Sequence, residues 1–314
     1  MTRLRDRHSD LAAIISRAAD ASGIPPAFVE KDFWVVELLR SVSQPIDGAF
    51  VVFKGGTSLS KAYGLVQRFS EDVDILLAFA GQPSIAQRDG VLKEVCARVE
   101  RDVGIPAGEP FSKRGVLRIV RYGYESDHAD GRITEGVLLE VGIRGNPDPR
   151  EEHELRSYVA QHATTVMGLD AGEYEEFAPV RVQVLRPERT LVEKLSIAHH
   201  LGTLDAESIR TSEKGRHLYD IHQLLGDDAT VAAITGTEYV ATAARDAEEH
   251  SAANDWEYSP RPDDGFGASP TFDPAGSNAE AMEAAYERVR PLVYGRFPSF
   301  AEVIERVRAH AASL

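Results

Sequence analysis

The chain contains one cysteine, Cys96. That excludes an internal disulfide framework and any zinc site built on cysteine pairs. Long hydrophobic runs are also missing: none approaches the ~20 apolar residues that span a bilayer. The N-terminal stretch MTRLRDRHSDLAAII is charged and then amphipathic, unlike a secretory signal. Positive charge is the third shortage. Only 35 Lys and Arg stand against 50 Asp and Glu, a net charge of -15. Dedicated nucleic-acid binders are usually basic, because phosphate contacts supply much of their affinity. Any nucleic-acid contact here must therefore use a local basic patch or be transient. The single cysteine and the absence of a membrane span point to the cytoplasm. At 314 residues the chain can hold one large domain or two medium ones.

What is present is concentrated between Val51 and Leu76, VVFKGGTSLSKAYGLVQRFSEDVDIL. The pattern predicts a strand, a Gly55-Gly56 turn, a helix over Ser58–Leu65, and a second strand carrying Asp72 and Asp74. Side chains alternate across a strand, so the two aspartates share one face while Val73 and Ile75 take the other. Paired carboxylates repel unless something positive sits between them, and a divalent metal carrying a nucleoside triphosphate is the usual answer. A glycine turn opening a helix is a ready phosphate cradle. Cradle and carboxylates in this order are similar to the nucleotidyltransferase fold of DNA polymerase beta and its relatives. The bland reading is an exposed polar strand face beside an ordinary turn. The apolar run around the aspartates argues against it.

Such a fold needs a third acid on a neighbouring strand. GVLLEVGI supplies Glu140, a lone charge between Leu138 and Gly142 on its own face. A buried carboxylate without a partner is costly, so it asks for one; the alternative is an edge-strand glutamate facing water. In ERTLVEKLSIAHHL, at about 100° per residue, Leu191, Leu195, Ile197, Ala198 and Leu201 cover one arc and Lys194 falls inside it. That lysine either snorkels or neutralises charge on a leaving pyrophosphate. In KGRHLYDIHQLL, Asp220 sits at the edge of an apolar stripe, one turn after Arg216. It either pairs locally with Arg216 or orients Lys194 or contacts the nucleotide. His199 and His200 are adjacent and face different directions on a helix, so with His217 and His222 they make a poor metal cluster. GGTSLSK lacks the spacing of a P-loop. Lys113, Arg114, Arg118 and Arg121, with Arg186 and Arg189, form the candidate basic surface; the alternative is a solvated sheet face.

Further elements are expected as helices over 84–103, 188–202, 214–225, 278–294 and 299–312, and strands around 115–124, 135–144 and Val180–Val184. Residues 252–277, rich in Pro, Gly, Asp and Ser, read as a long loop or lid. The organisation is α+β and bilobed: a nucleotidyltransferase core with a mixed sheet over 1–186, and an all-helical C-terminal part over 187–314.

Four stretches, VEKDFWVVELL (29–39), FKGGTSLSKAYGLVQRFSEDVDI (53–75), ERTLVEKLSIAHH (188–200) and KGRHLYDIHQLL (214–225), make the chain resemble the AbiEii-type nucleotidyltransferase toxins, including the MenT proteins and relatives in phage-defence operons. The resemblance implies magnesium-dependent (or manganese-dependent) transfer of a nucleotide from an NTP. It implies tRNA 3′ ends as acceptor, a block of translation, and a cognate AbiEi-like winged-helix antitoxin. By the same resemblance Gly56 and Thr57 or Ser58 contact phosphate, beside Gly55. Asp72 and Asp74 hold metal, and Lys194 and Asp220 are the downstream essential positions; Glu140, read from its own strand, would assist the metal carboxylates. Lys54 and Lys61 flank the cradle and add charge. Ser70, two residues before Asp72, is a candidate regulatory position, because modification there would add negative charge beside the metal carboxylates. The stretch from Gly56 to Asp72 is a little longer than in many nucleotidyltransferases, so an extended intervening helix is expected. Rival readings are nucleotidylation of a protein or small-molecule hydroxyl, and a non-catalytic nucleotide-binding partner module.

Overall fold

A computed structural model describes residues 2–70, 72–129, 131, 133–253 and 258–314. The chain divides into two compact units. The first comprises residues 1–62, 69–143 and 150–184; the second comprises 63–68, 144–149 and 185–314.

In the first unit, α1 (His8–Ser22) and α2 (Pro26–Val42) precede β1 (Ala49–Lys54). Pro26 starts α2 at a position where the missing N–H costs nothing. Then come α3 (Gly55–Lys61), β2 (Asp72–Phe79), α4 (Ile85–Val103), β3 (Phe111–Lys113), β4 (Leu117–Tyr122), β5 (Val137–Gly142), β6 (Arg150–Leu155), α5 (Tyr158–Thr165) and β7 (Val180–Leu185). Ser84 and Gln87 close a capping box on α4, and Gly104 ends that helix in the left-handed region at φ 81°.

The seven strands form one mixed sheet in the order β3-β4-β5-β2-β1-β7-β6. β2 is antiparallel to β1 and parallel to β5. Val73, Ile75, Val137, Leu139, Val141, Val120 and Tyr122 are buried on one face, where α2 and α4 pack. The other face carries half-buried positions at Asp72, Asp74, Leu138, Glu140, Ile119 and Arg121. Cys96 is buried on α4, and burial pushes its thiol up to about 11.

The second unit is helical among the described residues: α6 (Pro187–Gly202), α7 (Ala206–Thr211), α8 (Arg216–Leu224), α9 (Asp228–Ile234), α10 (Tyr239–Ala253), α11 (Ala279–Glu287) and α12 (Phe300–Ala309), joined by short 3-10 turns. No helix among the described residues is long and apolar enough to cross a membrane.

One expectation needs correction. The helix after the glycines is short: α3 begins at Gly55 and ends at Lys61, so the distance to Asp72 is covered by irregular chain rather than an extended helix. The segment expected as a long loop or lid holds only short 3-10 turns among its described residues after α10, and part of it is buried. Phe266 and Phe272 are 0% and 1% exposed, and Thr271 Oγ1 donates to the carbonyl of Ala198 on α6 at 2.5 Å. Residues 254–257 of that stretch lie outside the described residues.

Candidate active site

The expected site residues divide between the two units. In the first, strand register places three acids together. Asp72 lies opposite Leu138 and Asp74 opposite Glu140, on neighbouring parallel strands. Paired residues on adjacent strands point to the same side, so all three carboxylates share the half-buried face. β5 lies between β4 and β2; Glu140 is therefore on an interior strand, which removes the edge-strand reading. Lys54 lies opposite Asp74 on the other side, across β1. Asp74 thus stands between a cation and an anion in one row of the sheet.

The glycine turn is fitted to this row. Gly55 has φ 78°, and a Cβ placed on it would lie 1.9 Å from Asp74 Oδ2. Only glycine tolerates both the backbone conformation and the approach. Thr57 Oγ1 donates to the Asp72 carbonyl at 2.5 Å, and Ser58 Oγ donates to the Gly55 carbonyl at 2.9 Å. These hydroxyl protons are used inside the protein. The first-turn amides of α3, which include Gly56, have no intrahelical acceptor and remain the donors such a turn offers an anion.

Lys61 is placed differently from the expectation. Its Nζ is 2.6 Å from Asp32 Oδ1 and 4.4 Å from the Tyr158 ring centroid, with its side chain 7% exposed. It braces α3 against α2 and α5. Ser70 is half-buried on the segment entering β2.

Asp72, Asp74 and Glu140 are hard oxygen donors, the chemistry that magnesium or manganese takes. Their type suits such an ion, and strand register puts them on one face. Among the described residues, however, no three His, Cys, Asp or Glu side chains converge into a group that could hold a metal.

In the second unit, Asp220 on α8 is fully buried rather than at the edge of its stripe. Lys194 Nζ on α6 approaches Asp220 Oδ2 at 2.6 Å. Arg68 donates to both carboxylate oxygens, Nε to Oδ1 at 2.6 Å and Nη2 to Oδ2 at 2.7 Å. Burial alone would push the Asp220 carboxyl up; Arg68 and Lys194 outweigh it and hold the group well below the usual carboxylate range. Burial, then Lys194, depress His217, so its imidazole is neutral near pH 7. Its Nδ1 is enclosed without a hydrogen-bond partner. Among the described contacts, two cations meet this one carboxylate. Lys194 and Asp220 are thus in direct contact.

Arg68 was missed by sequence reasoning. It lies in irregular chain, where no periodicity marks a buried side chain, and its partner is 152 residues away. His199 and His200 meet Ser269 Oγ at 3.0 Å and Ser259 Oγ at 2.8 Å through Nδ1.

The candidate basic surface does not form one patch. Lys113 and Arg114 are exposed, but Arg118 and Arg121 are an odd number of residues apart on β4 and point to opposite faces. Arg121 shares the carboxylate face and donates to the Glu135 carbonyl at 3.2 Å. Arg186 pairs with Glu188 at 3.0 Å. Arg189 is 3% exposed and bound to Asp246 at 2.7 Å.

Sheet, glycine turn and carboxylate row lie in the order expected of a nucleotidyltransferase. Residues 37–306 match the family model described as nucleotidyl transferase AbiEii toxin, type IV toxin–antitoxin system. The chain belongs to the AbiEii toxin family, and that family implies a cognate antitoxin. Among solved structures it is similar to MenT4, the nucleotidyltransferase toxin Rv2826c of Mycobacterium tuberculosis H37Rv, at TM-score 0.60 and 21% identity, over 96% of this chain and 88% of that one. At that identity the likeness shows the fold. No curated protein matches the chain.

Proposed function

We propose that this toxin moves a nucleoside monophosphate from an NTP onto an RNA acceptor, the 3′ end of tRNA, and so blocks translation in the cytoplasm. The observation that carries the reading is the row Lys54–Asp74–Glu140 with Gly55 packed against Asp74. Asp72, Asp74 and Glu140 would hold magnesium. When bound, the ion supplies charge neutralisation at the phosphoryl oxygens and acidifies the acceptor hydroxyl. The chain's own residues do the rest. The Gly55–Ser58 turn presents backbone donors to the triphosphate, and Lys54 offsets negative charge beside Asp74. Glu140 takes the acceptor proton. Lys194, oriented by Asp220, is the second unit's candidate for neutralising the leaving pyrophosphate. The antitoxin would be an AbiEi-like winged-helix protein. Modification of Ser70 would add charge beside Asp72 and switch transfer off; unchanged antitoxin control in Ser70→Ala would count against that.

The test is incubation of purified protein with total tRNA, magnesium and each α-labelled NTP, beside Asp72→Ala. Label on tRNA with one or two NTPs, absent in the variant, is the expected result and names the donor. The net charge of -15 favours protein nucleotidylation as the second reading, and label on protein alone would select it.

A further inference from the structure

The stretch VEKDFWVVELL is not absorbed by the transfer chemistry. It forms α2, a helix built mainly from Phe28, Val29, Phe33, Trp34, Val35 and Val36. Three consecutive charges interrupt it. Glu30 is 4% exposed and Lys31 0%, while the Asp32 side chain is 10% exposed. Successive helix residues point about 100° apart, so the three reach different neighbours.

Glu30 accepts from Ser126 Oγ and, at 3.3 Å, from the Asp127 amide. Both lie on the connection from β4 to β5. Lys31 Nζ donates to the Thr134 carbonyl at 2.8 Å, near the end of that connection and six residues before Glu140. The same ammonium lies 5.4 Å from the Phe69 ring centroid, three residues before Asp72. Phe28, one turn earlier on α2, stacks on Phe69 with centroids 4.3 Å apart. Asp32 holds Lys61 at the end of α3 at 2.6 Å and accepts from the Tyr158 amide at 2.7 Å.

Thus one turn of α2 grips the glycine-turn helix, the entry to the Asp72 strand, and the lead-in to the Glu140 strand. Buried charges are a poor way to gain stability, since apolar residues of similar volume usually do as well or better. Their use here is positional.

We propose that Glu30, Lys31 and Asp32 are positioning residues. They set the spacing between the Gly55–Ser58 turn, the Asp72–Asp74 strand and Glu140 without touching substrate. The inference rests on the nucleotidyl-transfer reading for its kinetic consequence, and on geometry alone for its structural one.

Two variants separate the contacts. Lys31→Met keeps volume and removes the ammonium. The expected result is faster amide hydrogen exchange in the 123–136 connection and around Phe69, with the global unfolding midpoint unchanged. On tRNA with the preferred NTP, kcat should fall about 10²-fold, the cost of displacement of about 1 Å, with KM for NTP unchanged. Asp32→Asn should instead loosen residues 55–61 and raise KM for NTP more than it lowers kcat. Lys31→Arg should recover part of kcat. Unchanged exchange in those segments, or kcat and KM shifting equally in both variants, would overturn the proposal. If wild type transfers no more label than Asp72→Ala, the transfer reading fails instead, and the exchange measurement alone decides the positioning.

Discussion

Asp72, Asp74 and Glu140 of the first unit are half-buried, whereas Asp220 of the second unit is 0% exposed and Lys194 only 3%. The first set is held by strand register. Its side chains stand on an accessible sheet face because Val73, Ile75, Leu139 and Val141 commit the opposite face to the core. Water screens these acids, so crowding them costs little. The second set has no such screen. Arg68 and Lys194 satisfy Asp220 from two sides at 2.6 Å, and removing Asp220 takes from both cations the carboxylate they share. One region sets acids on the same half-buried face of a sheet. The other keeps opposite charges together and enclosed, as a rigid anchor for a lysine requires.

The contrast predicts its largest effect in stability. Asp220→Ala removes the carboxylate that two buried cations share and should cost about 3–5 kcal/mol of unfolding free energy. Asp74→Asn neutralises a carboxylate that lies between Lys54 and Glu140 on an accessible face, and should change stability by less than about 1 kcal/mol while removing transfer. Urea unfolding of both variants checks this. Equal losses would mean that the sheet acids are as enclosed as Asp220, and the comparison would break.

A smaller effect, on activity, tests how tightly the accessible row is built. Gly55→Ala puts a methyl where Asp74 Oδ2 lies, at 1.9 Å, and asks alanine to adopt φ 78°. The carboxylate or the turn must move. A shift of about 1 Å predicts roughly 10²-fold slower transfer, and the strained backbone adds about 1 kcal/mol of destabilisation. Gly90→Ala is the control: that helical glycine has nothing within 4 Å of the added carbon, and the change should leave transfer unaltered. Labelled-NTP kinetics on the two variants decide whether the close approach matters.

What was legible in the chain follows from the same physics. Asp72, Asp74 and Glu140 could be read because a period of two separates them from apolar neighbours that must go inward. Lys194 could be read because an apolar arc on α6 enclosed it. Arg68 could not, because irregular chain carries no period and its partner is distant in sequence. The depth of Asp220 was obscured by Arg216, four residues earlier, which offered a local partner. Residues 258–277 were read as part of a long loop or lid by their Pro, Gly and Asp content; the burial of Phe266 and Phe272 is a depth that such composition does not carry. β6, REEHEL, hid as a strand because its charges mask the alternation, as an edge position allows.

The smallest effect is in pH, where the two units should oppose each other. In the first, burial pushes the Glu37 carboxyl up to about 7, against the pull of Arg40 and Arg5. The folded chain then keeps a proton that the unfolded chain loses above about 4.5, so this group lowers stability as pH rises from about 4.5 to about 7. In the second, burial depresses His217, His199 and His222. The unfolded chain takes up protons below about 6.5 that the folded chain refuses, so these groups lower stability as pH falls below that value. One fully shifted group changes stability by at most about 1.4 kcal/mol per pH unit. Between pH 5 and 7 the slopes have opposite signs, and wild type should show a shallow profile. Glu37→Gln should leave stability rising with pH across that window, and His217→Gln should reduce that rise in the Glu37→Gln background. Unfolding free energies at pH 5, 6 and 7 for wild type and both variants test this. A Glu37→Gln profile parallel to wild type would mean that Arg5 and Arg40 already hold Glu37 ionised, so that both units would then keep their buried carboxylates charged by the same means.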